Sequence, residues 1–124
     1  MIRDATPGDV PAITALYGRE VLGGTATFEL EPPSPAEMTA RFEAVAAKGL
    51  PWLVSEIDTG FEGYAYASPF RPRPAYRYGV EVSIYVEEAA RGRGVATALL
   101  TALIERVRGM GLRHLIAAIS DSAT

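Results

Sequence analysis

The sequence predicts an α/β (α+β) fold in which a mixed, mostly antiparallel sheet is flanked by helices. Two observations carry this. Apolar residues switch along the chain between helical spacing and strict alternation, in the order β, α, α, β, β, β, α, β. A glycine-rich turn, Arg91-Gly92-Arg93-Gly94-Val95-Ala96, joins one of the alternating runs to the longest helical run.

Ile2 to Ala5 reads as a short first strand. Thr6-Pro7-Gly8-Asp9 has the form of a capping box, with Thr6 as N-cap and Pro7 at the first helical position. The helix it opens runs to about Leu22, with Ile13, Leu16, Tyr17 and Val21 on one face, and Gly23-Gly24 ends it. Ser34-Pro35-Ala36-Glu37 is a second capping box. It opens a helix to Lys48 with Met38, Phe42 and Val45 as its stripe and Gly49 as its stop. Trp52 to Ile57 is a strand, Asp58-Thr59-Gly60 a turn, and Gly63 to Ser68 the hairpin partner, with Tyr64, Tyr66 and Ser68 on one face. The run Pro69-Phe70-Arg71-Pro72-Arg73-Pro74 is a stiff loop, because its prolines lack donors and fix φ. In the strand Val80 to Val86, Val80, Val82, Ile84 and Val86 point one way and Glu81, Ser83 and Tyr85 the other, leaving one polar face. The helix after the glycine turn covers Ala96 to Arg108, with Val95, Leu99, Leu103 and Val107 spaced by four. Gly109 and Gly111 stop it, and His114 to Ile119 is a last strand. The sequence closes straight after that strand with nothing to cover the far end of the sheet, so residues 1–124 read as a single domain that is incomplete at its C-terminal end.

Composition narrows the function. The chain has 124 residues, a net charge of −3, 48% hydrophobic and 22% charged residues, and no cysteine. One core and one domain fit that length. The acidic balance argues against non-specific nucleic-acid binding, and no apolar run approaches the ~18 residues of a membrane span. Without cysteine there are no disulfides, thiol nucleophiles or thiolate metal sites, and the expected compartment is cytoplasmic. No cluster has metal-ligand spacing, and His114, the only histidine, has no triad partner, so no metal is expected. The arginines at 71, 73, 77, 91 and 93 are concentrated enough for local anion binding.

The glycine turn is the strongest functional signal. A strand, a turn rich in glycine and a helix N-terminus present unpaired N–H groups and partial positive charge to an anion. Gly92 and Gly94 leave the backbone bare, and Arg91 and Arg93 add fixed charge. Neither a Walker loop nor a dinucleotide fingerprint fits the residues around it. A seat for a pyrophosphate is the reading that remains, against a plain strand-to-helix connection.

Arg91-x-x-Gly94-x-Ala96 after Ile84-Tyr85-Val86 resembles the acetyl-CoA-binding motif of the GNAT acetyltransferase superfamily. The likeness extends through Ile2-Arg3-Asp4-Ala5-Thr6, Gly24-Thr25-Ala26-Thr27-Phe28-Glu29, Pro51-Trp52-Leu53-Val54 and Gly63-Tyr64-Ala65-Tyr66-Ala67. The run Arg71-Pro72-Arg73-Pro74-Ala75-Tyr76-Arg77-Tyr78 leading into Val80-Glu81-Val82-Ser83 is similar to the phosphinothricin and methionine sulfone/sulfoximine N-acetyltransferases, with Gly79 a departure where those proteins usually carry a side chain.

The resemblance implies acetyl-CoA as co-substrate and direct transfer of its acetyl group, in a ternary complex, to the α-amino group of a small amino-acid-like acceptor. Backbone groups of Ile84, Tyr85 and Val86 are implied to pair with the pantetheine arm, and those from Gly92 through Arg93, Gly94, Val95 and Ala96 to Thr97 to hold the diphosphate. Glu81 is the implied general base, against the plain reading of an exposed or arginine-paired strand carboxylate. Arg71 and Arg73, held by Pro72, are the implied clamp for the acceptor's carboxylate, for which a planar guanidinium fork is suited. Val82, Ser83 and Phe28 complete the implied acceptor pocket. A homodimer is implied as well. The tyrosine that often protonates the leaving thiolate in the superfamily sits on a later helix, beyond Thr124. Two alternatives stand beside this reading: an acyl-CoA-binding module without catalysis, and an acetyltransferase acting on a peptide N-terminus or an antibiotic.

Overall fold

The computed structural model describes residues 1–23, 31–58, 60–69, 79–109 and 114–116. The elements are β1 (Ile2–Asp4), α1 (Val10–Gly23), α2 (Pro35–Ala47), β2 (Trp52–Ile57), β3 (Gly60–Pro69), β4 (Gly79–Val86), α3 (Val95–Gly109) and β5 (His114–Ile116). Single 3-10 turns precede α1 (Pro7–Asp9) and follow β4 (Glu88–Ala90). The order matches the sequence reading, and the sheet runs β1-β2-β3-β4-β5. The first four strands are antiparallel neighbours, and β4 and β5 are parallel, paired from Gly79↔His114 to Glu81↔Ile116.

Local chemistry accounts for the helix ends. At the first, the Thr6 N–H donates to Asp9 Oδ2 (2.7 Å) and the Asp9 N–H to the Thr6 carbonyl (2.9 Å). At the second, Ser34 Oγ accepts from the Glu37 N–H (3.1 Å), with Pro35 where its missing donor costs nothing. Gly49, at φ +71°, closes α2 with the Gly49 N–H on the Ala46 carbonyl (2.9 Å) and the Leu50 N–H on that of Val45 (3.2 Å). Arg3 ties β1 to this scaffold. Its guanidinium donates to both carboxylate oxygens of Asp9 (2.8 Å each) and through Nε to Glu56 (2.6 Å). That contact holds the Asp9 and Glu56 carboxyls below the usual carboxylate range and raises Arg3 further.

The hairpin departs from the sequence reading. β3 begins at Gly60 rather than Gly63, and the β2–β3 register slips at Ser55/Glu56, so that Glu62 is an extra residue in the ladder. The Glu62 carboxylate is buried there and accepts a hydrogen bond from the Ser55 hydroxyl (2.9 Å). Gly63 follows immediately. A Cβ at that position would lie 2.5 Å from the Tyr85 carbonyl oxygen, so only glycine lets β3 approach β4 this closely.

Helices cover both sheet faces. On the α3 side, Leu53, Ala65, Val82, Ile84 and Val86 meet Val95, Leu99 and Leu103. On the other side, Trp52, Val54, Tyr64 and Tyr85 meet Ile13, Leu16, Tyr17 and Val21 of α1 and Met38 and Val45 of α2. The alternation in β4 predicted one polar face. The structure corrects this at Tyr85, which is buried edge-on against Tyr17 (ring centroids 5.2 Å apart, planes at 83°), because α1 covers that end of the strand.

Candidate active site

β4 and the turn after it hold most of the candidate residues. The polypeptide leaves Val86, makes the Glu88–Ala90 turn, which the sequence reading did not contain, and enters α3 through Arg91-Gly92-Arg93-Gly94. Gly92 (φ +80°) and Gly94 (φ +78°) are both in the left-handed region. An added Cβ on either would meet no described residue within 4 Å, so backbone conformation is what requires glycine here. The Ala98 N–H donates to the Gly94 carbonyl (3.0 Å). The amides of Val95, Ala96 and Thr97 therefore precede the helix ladder, at the positive end of the α3 dipole.

The arginine side chains of the turn are folded back onto protein. Arg91 Nη2 donates to Glu20 Oε1 of α1 (2.8 Å), and its Nε lies 3.4 Å from the Val86 carbonyl oxygen. Arg93 Nη2 donates to the Ala89 carbonyl (2.8 Å). Beside them Arg19 pairs with Glu87. Sequence reasoning missed Glu20, an ordinary-looking helical glutamate 71 residues from its partner.

Ile84, Tyr85 and Val86 pair on one side with Ala65, Tyr64 and Gly63. On the other side, among the described residues, β4 is paired only from Gly79 to Glu81. Residues 117–119, which the sequence reading placed in the same last strand as His114–Ile116, lie outside the described residues. The Ile84 and Val86 side chains are buried under α3.

Glu81 lies half-buried opposite Ser68, on the face it shares with Ser83 and Tyr85, and Tyr66 stands opposite Ser83. No described residue makes a hydrogen bond or ion pair with the Glu81 carboxylate. The neighbouring wall is aromatic: Tyr66 stacks on Trp52 (4.1 Å, 14°), and Tyr64 stacks on Tyr85 (5.2 Å, 28°). Burial pushes the Tyr64 phenol well above its usual range, so it stays protonated. Val82, expected at the acceptor site, has its side chain fully buried on the α3 face, where only its backbone can serve that role. Phe28, Arg71, Pro72 and Arg73 lie outside the described residues. A cavity of about 390 Å³, lined by Phe42, Leu50, Trp52 and Arg106 among others, lies at the opposite end of the sheet from the glycine turn. Among the described residues no group of three His, Cys, Asp or Glu side chains could hold a metal ion, and no helix is long and apolar enough to cross a membrane.

A glycine turn at a helix N-terminus, the strand leading into it and a carboxylate further along that strand lie in one continuous stretch of the chain. The sequence profile of the Acetyltransferase (GNAT) family matches residues 13–123, and the chain belongs to this family. It is 48% identical over 121 residues to a phosphinothricin N-acetyltransferase of Alcaligenes faecalis, covering 98% of this chain and 61% of that protein. It is 42% identical to an L-methionine sulfoximine/L-methionine sulfone acetyltransferase of Pseudomonas paraeruginosa, covering 97% of this chain and 70% of the relative. Its fold is similar, with a TM-score of 0.90 and 47% identity, to the crystal structure of a GNAT superfamily phosphinothricin acetyltransferase from Sinorhizobium meliloti in complex with AcCoA. That match covers 94% of this chain and 64% of the other. The chain thus spans about three-fifths of the Alcaligenes protein's length.

Proposed function

We propose that the chain carries the donor seat and general base of an acetyl-CoA-dependent N-acetyltransferase acting on the α-amino group of a small amino-acid-like acceptor of the phosphinothricin, methionine sulfone or methionine sulfoximine type. The observation that carries the proposal is the continuity of β4 with the glycine turn: one strand sets the carboxylate of Glu81, the edge at Ile84–Val86 and the helix-end amides in line. The bare backbone at Gly92 and Gly94 fits a diphosphate, since no described residue occupies the space a side chain would take.

Acetyl-CoA, when bound, supplies an activated acetyl thioester. The chain's own residues do the rest. Amides from Gly92 to Thr97 hold the diphosphate, and the Ile84–Val86 backbone aligns the arm. An α-ammonium group has no lone pair at neutral pH, and Glu81 accepts its proton, directly or through a water. A β4 N–H stabilises the negative charge that develops on the thioester oxygen. Ser83 and Tyr66 border the acceptor on the same face, and Phe28, Arg71, Pro72 and Arg73 are assigned to it from the family resemblance. The same resemblance supports a homodimer, and the absence of cysteine fits a cytoplasmic enzyme. Residues 1–124 are assigned to one domain.

The test is calorimetric titration with acetyl-CoA together with thiol release in the presence of methionine sulfone. Glu81→Gln is expected to lower kcat by on the order of 100-fold or more and to leave donor affinity within about twofold, a difference under ~0.5 kcal/mol. Donor binding with turnover unaffected by Glu81→Gln contradicts the assignment of the base; no donor binding contradicts the seat.

A further inference from the structure

We infer that Glu20 is a positioning residue for the donor seat, and that the Arg91 side chain serves the turn by clamping to Glu20 rather than by contacting the donor's phosphates. The inference rests on reading the turn as the diphosphate seat.

The Glu20 side chain is 5% exposed, on the face of α1 that carries Leu16, Tyr17 and Val21 into the core. A carboxylate buried so deeply is costly unless a charged partner compensates it. Arg91 supplies that partner at 2.8 Å through a charge-assisted hydrogen bond. The guanidinium also leans on the Val86 carbonyl, so one side chain spans the end of β4, the start of the turn and α1. On the far side of Gly92, Arg93 reaches back to Ala89. The two glycines in left-handed conformation would otherwise make this the loosest part of the β4–α3 connection. With Arg91 and Arg93 both anchored, the shape of the turn is set before any ligand arrives.

Charge points the same way. Glu20 offsets the charge of Arg91, so Arg91 attracts an anion less while the clamp is closed. The pull on the diphosphate then comes from the amides, the α3 dipole and Arg93. Releasing Arg91 would free a cation for the phosphates while loosening the amides that should receive them. The two roles therefore predict opposite signs for loss of Glu20.

The experiment measures CoA affinity calorimetrically for the wild-type chain, Glu20→Gln, Arg91→Gln and the double variant, with a thermal melt of each. Under the clamp, each single variant weakens CoA about tenfold (~1.4 kcal/mol), and the double weakens it no further than either single. The KM for acetyl-CoA rises while kcat at saturating donor stays within about twofold, a split that general destabilisation does not produce. Unchanged or tighter CoA binding by Glu20→Gln, or losses that multiply in the double variant, overturns the inference. Should the single variants not fold, crystals of the wild-type chain grown with CoA decide. Arg91 still on Glu20 supports the clamp, and Arg91 swung onto a phosphate refutes it. A wild-type chain that binds no CoA removes the seat itself, a failure distinct from that of the clamp.

Discussion

The two faces of the sheet are built from different chemistry. Under α3 the contact is aliphatic, with Leu53, Val82, Ile84 and Val86 against Leu99 and Leu103. Under α1 and α2 it is aromatic, a run of rings through Tyr17, Tyr85, Tyr64, Tyr66 and Trp52. Branched aliphatic side chains interdigitate without voids and fix the helix they carry, and here the Gly92–Gly94 turn, proposed above as the donor seat, opens that helix. Rings offer flat walls and polar tips, and their side of the sheet is where Glu81, Ser83 and Tyr66 stand half-buried. The difference is a division of labour: the aliphatic face fixes α3 and the turn that opens it, and the aromatic face shapes the surroundings of Glu81.

The largest effect that sharpens this contrast comes from Leu99, which is fully buried between α3 and the sheet. Leu99→Ala is expected to cost about 3 kcal/mol in urea unfolding and to weaken CoA binding, since it loosens the helix that carries the proposed seat. Next comes Gly63, at the seam where both faces depend on the β3–β4 spacing. Gly63→Ala drives a methyl group to 2.5 Å from the Tyr85 carbonyl and is expected to cost about 2 kcal/mol. Donor binding should fall with it, because Val86 pairs directly with Gly63; unchanged stability and affinity would mean that the strands yield freely there. A smaller and more selective change is Tyr66→Ala. It removes the stack on Trp52, worth about 1 kcal/mol, and should raise acceptor KM about fivefold (~1 kcal/mol) without altering CoA affinity. An equal loss of donor affinity would end the division between faces.

The smallest effect lies outside both faces. The Arg3 guanidinium, hydrogen-bonded to Asp9, holds the Asp9 carboxyl low. Its contribution is complete above the unfolded carboxylate value of about 4 and is lost as pH falls through the lower folded value. Asp9→Asn should cost about 1 kcal/mol at neutral pH and flatten the acid limb of a stability–pH curve, with CoA binding unmoved.

What could be read from the sequence was what neighbouring residues decide. Thr6 with Asp9, Ser34 with Glu37, and Gly49 each act within four positions, and the helices begin and end there. The turn between β4 and α3 was legible for the same reason: Arg91–Thr97 is one short stretch in which Gly92 and Gly94 take the left-handed conformation their residue type permits. Long-range features were not. The extra residue at Glu62 depends on how β2 meets β3, the burial of Tyr85 on where α1 crosses β4, and the Glu20–Arg91 clamp on the whole fold between them. The alternation in β4 signalled one covered face because it reports side-chain polarity, and a tyrosine suits either a wet surface or an aromatic core.

Trp52 is the only tryptophan in the chain, and its indole N–H is buried at the end of the ring column with no hydrogen-bond partner among the described residues. Light absorbed by the four tyrosines of that column can pass from ring to ring and emerge as indole emission. Loss of that transfer would time the opening of the aromatic face alone, while far-ultraviolet dichroism follows the helices, so a label-free optical signal can tell whether the two halves of the core melt together or in succession.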